Sequence, residues 1–158
     1  MIFIIHLKDL KDFESFGLFL GQILKPGDIL SLTGDLGAGK TTLTQSVAKG
    51  MGISEYVTSP TFTILNEYQG DIPLYHFDCY RIGEDDFLFM GFEDYLYAGG
   101  VSILEWGERV EGILPGSCVK VTIVVKDGER FIDFKGSKRA LELERMIADV
   151  GTWSWYFY

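Results

Sequence analysis

The sequence predicts an α/β fold with helices on both faces of a mixed central β-sheet, and three observations carry that expectation. Short apolar runs of strand length alternate with segments of helical spacing along the chain. Residues 34–42, GDLGAGKTT, lie between the apolar run DILSL and a segment of helical character, which is a strand–loop–helix arrangement. Near the other end, VKVTIVV and RFIDF flank Asp127-Gly128, a pairing that turns a chain back on itself as an antiparallel hairpin. The hairpin is what makes the sheet mixed rather than purely parallel.

Taken in order, FIIHL (3–7) is a first strand. From Asp9 onward Leu10, Phe13, Gly17, Leu20 and Leu24 recur with helical spacing until Lys25-Pro26-Gly27 stops the helix. DILSL (28–32) is a strand feeding the glycine loop, and Thr41 to Met51 is a helix closed by Gly50 and Gly52. TFTILNEY (61–68) and PLYHFDCYR (73–81) are neighbouring strands joined through Gly70-Asp71. Residues 84–97 form one or two short helices broken at Gly91, and VSILEW (101–106) is a buried strand that ends in a carboxylate. After the hairpin strands, Ser137 caps a last helix with Ala140, Leu143, Ile147 and Val150 on one face. The expected organisation is a single domain over 1–150 and an aromatic tail over 151–158.

Composition narrows the function classes. The 158 residues suit one domain, and a 47% hydrophobic content excludes a disordered chain. Fourteen Lys and Arg against 23 Asp and Glu leave a net charge of −9, a poor match to DNA or to any broad phosphodiester surface. The two cysteines, Cys79 and Cys118, have neither CxxC spacing nor a flanking His, which removes zinc and disulfide-framework readings. The opening apolar run has no basic residues before it, and no uncharged stretch approaches the ~18 residues of a membrane span. A soluble, cytoplasmic protein is expected.

The glycine loop answers to a specific chemical need. Gly34-Asp35-Leu36-Gly37-Ala38-Gly39-Lys40-Thr41 fits G-x-x-x-x-G-K-[ST] at every fixed position. Polyphosphate carries dense negative charge, and a glycine-rich backbone can curl closely enough to aim its N–H groups at it. The helix that opens at Lys40 adds the partial positive charge of its N-terminus. Lys40 supplies a cation for the β and γ phosphates, and Thr41 a hydroxyl for Mg²⁺. The nucleotide contacts expected from the loop are Gly34, Asp35, Gly37, Ala38, Gly39, Lys40, Thr41 and Thr42. The chain is therefore expected to bind a nucleoside triphosphate.

Magnesium takes oxygen ligands and needs a carboxylate beside the phosphates. Two strand-end acids qualify: Asp78 after Leu74–Phe77, and Glu105 after Val101–Leu104. Glu105 follows the cleaner apolar strand and is taken as the metal-side acid, with Asp78 positioning water or sensing the γ phosphate. The sequence has no N-K-x-D guanine motif and no L-S-G-G-Q transporter signature, and its 84–97 segment is acidic where a small-molecule kinase carries lid arginines.

GDLGAGKTT, SPTFTILNEY, YHFDCYR and ILEWGE, in that order, resemble the TsaE family (also YjeE), ATPases of bacterial tRNA threonylcarbamoyladenosine biosynthesis. The likeness runs from the first helix to about Pro115; Cys79 departs from the family's usual aliphatic residue, and the closing GTWSWYFY has no family counterpart. The resemblance implies a small P-loop NTPase-like fold of three layers about a mixed sheet, ATP with Mg²⁺ held at Thr41 and Glu105, and a required Asp78. It also implies two protein partners, TsaD and TsaB, on which the ATPase becomes active while tRNA contact falls to the assembly. Ser59 and Thr61 take a switch role in this reading, and Trp106 covers or reports the nucleotide site. His76 is expected to be a hydrogen-bonded structural residue, Arg81 to pair near Asp78 or with a partner carboxylate, and Leu10 and Arg130 to approach the adenine. Two other readings remain open: a small-molecule kinase with Asp78 as base, and an ATP-dependent binding switch. Five of the last six residues are aromatic, which calls for packing over the sheet edge or an apolar groove left by the first helix, or for contact with another molecule.

Overall fold

A computed structural model describes residues 2–158. It contains one eight-stranded sheet in the order β3-β4-β5-β2-β6-β7-β1-β8. The strands are β1 (Phe3–Leu7), β2 (Ile29–Thr33), β3 (Leu65–Tyr68), β4 (Leu74–Asp78), β5 (Val101–Glu105), β6 (Val119–Lys126), β7 (Glu129–Lys135) and β8 (Ser154–Phe157). The central strands β4, β5, β2 and β6 run parallel, and antiparallel pairings flank them on both sides. The fold is the expected mixed α/β, three-layer architecture. One core gathers residues of α1 (Leu10–Ile23), α2 (Lys40–Gly50) and α4 (Lys138–Val150); the other gathers α3 (Glu84–Phe89) and the 3₁₀ segments Phe92–Tyr97 and Gly107–Ile113.

Local chemistry sets the element ends. The Asp9 carboxylate accepts from the Asp12 N–H and caps α1, and the Ser137 hydroxyl accepts from Ala140 N–H and caps α4. Asp127 and Gly128 both have positive φ, 53° and 78°, as the tight β6–β7 turn requires. Helices α1 and α2 meet through glycines: a Cβ on Gly21 would lie 2.9 Å from the Gly50 Cα, so the crossing has no room for a side chain. In α4, Ala140, Leu143 and Ile147 are buried while Val150 is exposed, so the apolar face is one turn shorter than its spacing suggests.

Several boundaries differ from the sequence expectation. The strand expected over 61–68 starts only at Leu65, because Ile64 N–H bonds back to the Pro60 carbonyl and Ile64 takes φ 68°, leaving 61–63 in a turn. The strand expected over 73–81 ends at Asp78, where the Ile82 N–H closes a turn onto the Cys79 carbonyl. The α2 helix begins at Lys40 and ends at Gly50, one residue earlier at each end than its apolar pattern implies. The aromatic tail continues the sheet: β8 pairs antiparallel with β1, and Trp153 packs edge-on against Phe16 at 5.4 Å.

Candidate functional site

Strand β2 delivers the chain into the loop at Gly34, and α2 leaves it at Lys40. The turn needs backbone that side-chain-bearing residues avoid: Gly37 has φ 83° and Gly39 φ 108°, and a Cβ on Gly39 would press on the Phe13 ring at 2.9 Å. Lys40 folds back over its own loop, its Nζ donating to the Gly34 carbonyl at 2.6 Å and the Asp35 carbonyl at 3.1 Å. The Trp106 ring covers the same ammonium at 4.1 Å. Burial pushes the Lys40 pKa below its ordinary value, while Glu105, Glu108, Asp35 and Asp78 pull it back up.

Strands β4 and β5 bring the two acids to the loop. Asp78 and Glu105 end parallel neighbours in register, and both side chains are buried. The Thr41 hydroxyl donates to both Glu105 oxygens, at 2.9 and 3.0 Å. His76 Nε2 lies 2.6 Å from Glu105 Oε2, with the imidazole fully buried. Asp78 has different partners: Oδ1 accepts from the Tyr80 N–H at 3.0 Å and Oδ2 from the Thr61 hydroxyl at 3.3 Å. Thr61 in turn shares a hydrogen bond with Ser59 at 2.7 Å.

A cavity of about 310 Å³ joins these groups: Gly37, Gly39, Lys40, Thr41, Thr42, Ser59, Thr61, Asp78, Glu105 and Trp106 all line it. A larger cavity, about 530 Å³, adjoins it along Leu36, Gly37 and Trp106 and includes Gly34, Asp35 and Ala38, but touches none of Thr41, Asp78 and Glu105. The smaller cavity is the chemically equipped one. Its hard oxygen donors, one hydroxyl and one carboxylate hydrogen-bonded to each other, fit an ion that completes its shell with phosphate and water, as Mg²⁺ does. Thiol chemistry is absent from this donor set; burial pushes the nearby Cys79 thiol up to about 12, with Asp78 adding to the rise.

The remaining expected residues fall out unevenly. Arg130 lines the cavity, donates to the Ala38 carbonyl at 3.0 Å and stacks on Phe13 at 4.7 Å. Leu10 is half exposed on the first turn of α1 and does not line it. Arg81 stacks over the exposed Phe62 ring at 5.4 Å rather than bonding Asp78. Two participants escaped sequence reasoning: Tyr80, whose ring packs on Trp106 at 4.9 Å, and Arg109, which stacks over Tyr80 at 5.2 Å. Only the Y-R and W-G-E neighbourhoods of the two acids could have pointed to them.

Comparison with known proteins points to one family. The model of a family described as "Threonylcarbamoyl adenosine biosynthesis protein TsaE" matches residues 7–132. A tRNA threonylcarbamoyladenosine biosynthesis protein TsaE from Bacillus subtilis (strain 168) is 49% identical over 114 residues, 70% of each chain. One from Treponema pallidum (strain Nichols) is 42% identical over 124 residues, 77% of this chain and 92% of the relative. The crystal structure of YdiB from Bacillus subtilis superposes with a TM-score of 0.80 at 33% identity, covering 96% of this chain and 97% of the other.

Proposed function

This chain belongs to the TsaE family, and from that premise we propose that it is the Mg²⁺-dependent ATPase of a tRNA threonylcarbamoyladenosine machinery, active with TsaD and TsaB partners. One observation carries the reading to the level of residues: the Thr41–Glu105 hydrogen bond, which joins the end of the glycine loop to a strand-end carboxylate with Asp78 beside it. In this proposal the loop from Gly34 to Thr42 holds the triphosphate, with backbone N–H groups and the α2 N-terminus facing it. Lys40 leaves the Gly34 and Asp35 carbonyls to meet the β and γ phosphates, and Trp106 bounds that movement on one side. Thr41 and Glu105 are the protein's two ligands to Mg²⁺, which when bound offsets charge on the phosphates.

Asp78 takes the water-positioning role. Its two oxygens are held by Tyr80 N–H and Thr61, and Ser59 and Thr61 link it to the loop that precedes β3. A carboxylate tied to a turn of this kind can be shifted by a protein that leans on the turn, which is how partners would raise turnover. The net charge of −9 suits a component that leaves tRNA contact to the assembly. A single ATPase domain working in the cytoplasm completes the proposal, and no helix among the described residues is long and apolar enough to cross a membrane.

The test is ATP turnover by the chain alone and with a TsaD–TsaB pair. Slow release of phosphate alone and a large stimulation by the pair is the expected outcome. Equal rates in both, or ADP release that depends on a small-molecule phosphate acceptor, would sink it.

A further inference from the structure

Within the proposed reading of Glu105 as a metal ligand, we infer that His76 is a positioning residue that locks the Glu105 carboxylate through an Nε2–H donor. His76 sits in the middle of β4, opposite Ile103 of β5, and none of its surface reaches solvent. Its Nε2 is 2.6 Å from Glu105 Oε2, while its Nδ1 is buried and has no hydrogen-bond partner. An ionised carboxylate only accepts, so the hydrogen of the pair sits on Nε2. The unpartnered Nδ1 then carries no hydrogen, in keeping with the rarity of orphaned N–H groups in protein interiors.

The consequence falls on the two Glu105 oxygens. Oε2 accepts from both His76 and the Thr41 hydroxyl, whereas Oε1 accepts from the Thr41 hydroxyl alone. A carboxylate free to rotate would present either oxygen; here the His76 bond holds Oε2 and leaves Oε1 the less committed of the two. The same bond separates the two acids. Asp78, two residues beyond His76 on β4, gets no support from the imidazole and depends on Thr61 and Tyr80. His76 therefore helps decide which carboxylate meets the cation, without touching cation or nucleotide itself. Partners behind a metal ligand fix its orientation and, when removed, cost about 10–100-fold in metal affinity.

The experiment compares wild type, His76→Phe, which fills the site without a donor, and His76→Gln, whose amide nitrogen can stand where Nε2 does. Nucleotide binding is measured by calorimetry across a Mg²⁺ series and in chelator, with thermal melts on each variant. The expected result is a Mg²⁺ requirement raised about 10–100-fold in His76→Phe, largely restored in His76→Gln, with binding in chelator unchanged. A purely structural histidine would lower the melting temperature and weaken binding in chelator as well. Only His6 and His76 are present, so long-range ¹H–¹⁵N spectra of the wild-type rings give the tautomer directly. An Nδ1–H tautomer at His76, or a folded His76→Phe protein with wild-type Mg²⁺ dependence, overturns the inference. Should His76→Phe fail to fold, the tautomer decides alone. Glu105→Gln is the separating control: if it too keeps the Mg²⁺ dependence, the metal assignment of Glu105 has failed, not merely its support by His76.

Discussion

Asp78 and Glu105 stand directly opposite one another in the β4–β5 register, yet they share no hydrogen-bond partner. Glu105 is bound by Thr41 and His76, and Asp78 by Thr61 and the Tyr80 backbone. Like charges placed opposite one another on neighbouring strands are costly, and the two carboxylates are held in separate hydrogen-bond networks.

The division predicts a double dissociation. Asp78→Asn is expected to leave ATP affinity nearly intact and to lower partner-stimulated turnover by about 10²–10⁴-fold, because water positioning acts in the transition state. Glu105→Gln is expected instead to flatten the Mg²⁺ dependence of binding. Calorimetry and steady-state hydrolysis on both variants check this; the opposite pattern would exchange the two roles.

Lys40→Ala removes a charged donor that now rests on the loop carbonyls. Loss of one charge-assisted contact to phosphate is expected to weaken ATP binding by roughly 10–100-fold, with a smaller effect on AMP, which lacks the β and γ groups. Equal affinity for ATP in variant and wild type would contradict the loop assignment.

Trp153 anchors the final strand. It is buried between Phe16 and Phe19 of α1, with centroids at 5.4 and 5.6 Å. Trp153→Ala is expected to cost about 3–5 kcal/mol in denaturant unfolding, and Trp153→Phe less. Removal of 152–158 should lower the melting temperature, since β1 would lose its partner on that side. Unchanged melting in the truncated chain would show that the strand contributes nothing to stability.

Neither thiol is expected to react in the folded protein. Burial pushes Cys79 up to about 12 and Cys118 up to about 11, so at pH 8 the thiolate of each is scarce as well as covered. Alkylation followed by mass spectrometry should label both only after denaturation. Rapid labelling of Cys79 in native protein would mean that the end of β4 opens readily.

What the sequence made legible was local. The glycine loop, the Asp127-Gly128 turn, the Ser137 cap and the two strand-end acids all follow from residues within a few positions of one another. Features that depend on register over long separations stayed hidden. His76 meets Glu105 across 29 positions, and Arg130 reaches the Ala38 carbonyl across 92. The turn at Ile64 was obscured by a β-rich composition, TFTILNEY, whose pattern is satisfied equally by a strand and by a strand preceded by a tight loop. The tail's hydrophobicity was evident, but pairing with β1 depends on where α4 returns the chain.

The contact of Gly21 with Gly50 has a genetic corollary. Helix α2 carries Lys40 and Thr41 at its first turn, and its far end is seated on α1 with no side chain between the backbones. A methyl group at Gly21 would press on the α2 backbone and, in the proposed reading, disturb the end of the helix that faces phosphate. Alleles recovered in a random screen for lost nucleotide binding should therefore include substitutions in the first helix, far from any atom that meets the ligand. Because the obstructing atoms are backbone, the Val47 carbonyl oxygen and the Gly50 Cα, no smaller side chain along α2 should suppress such alleles.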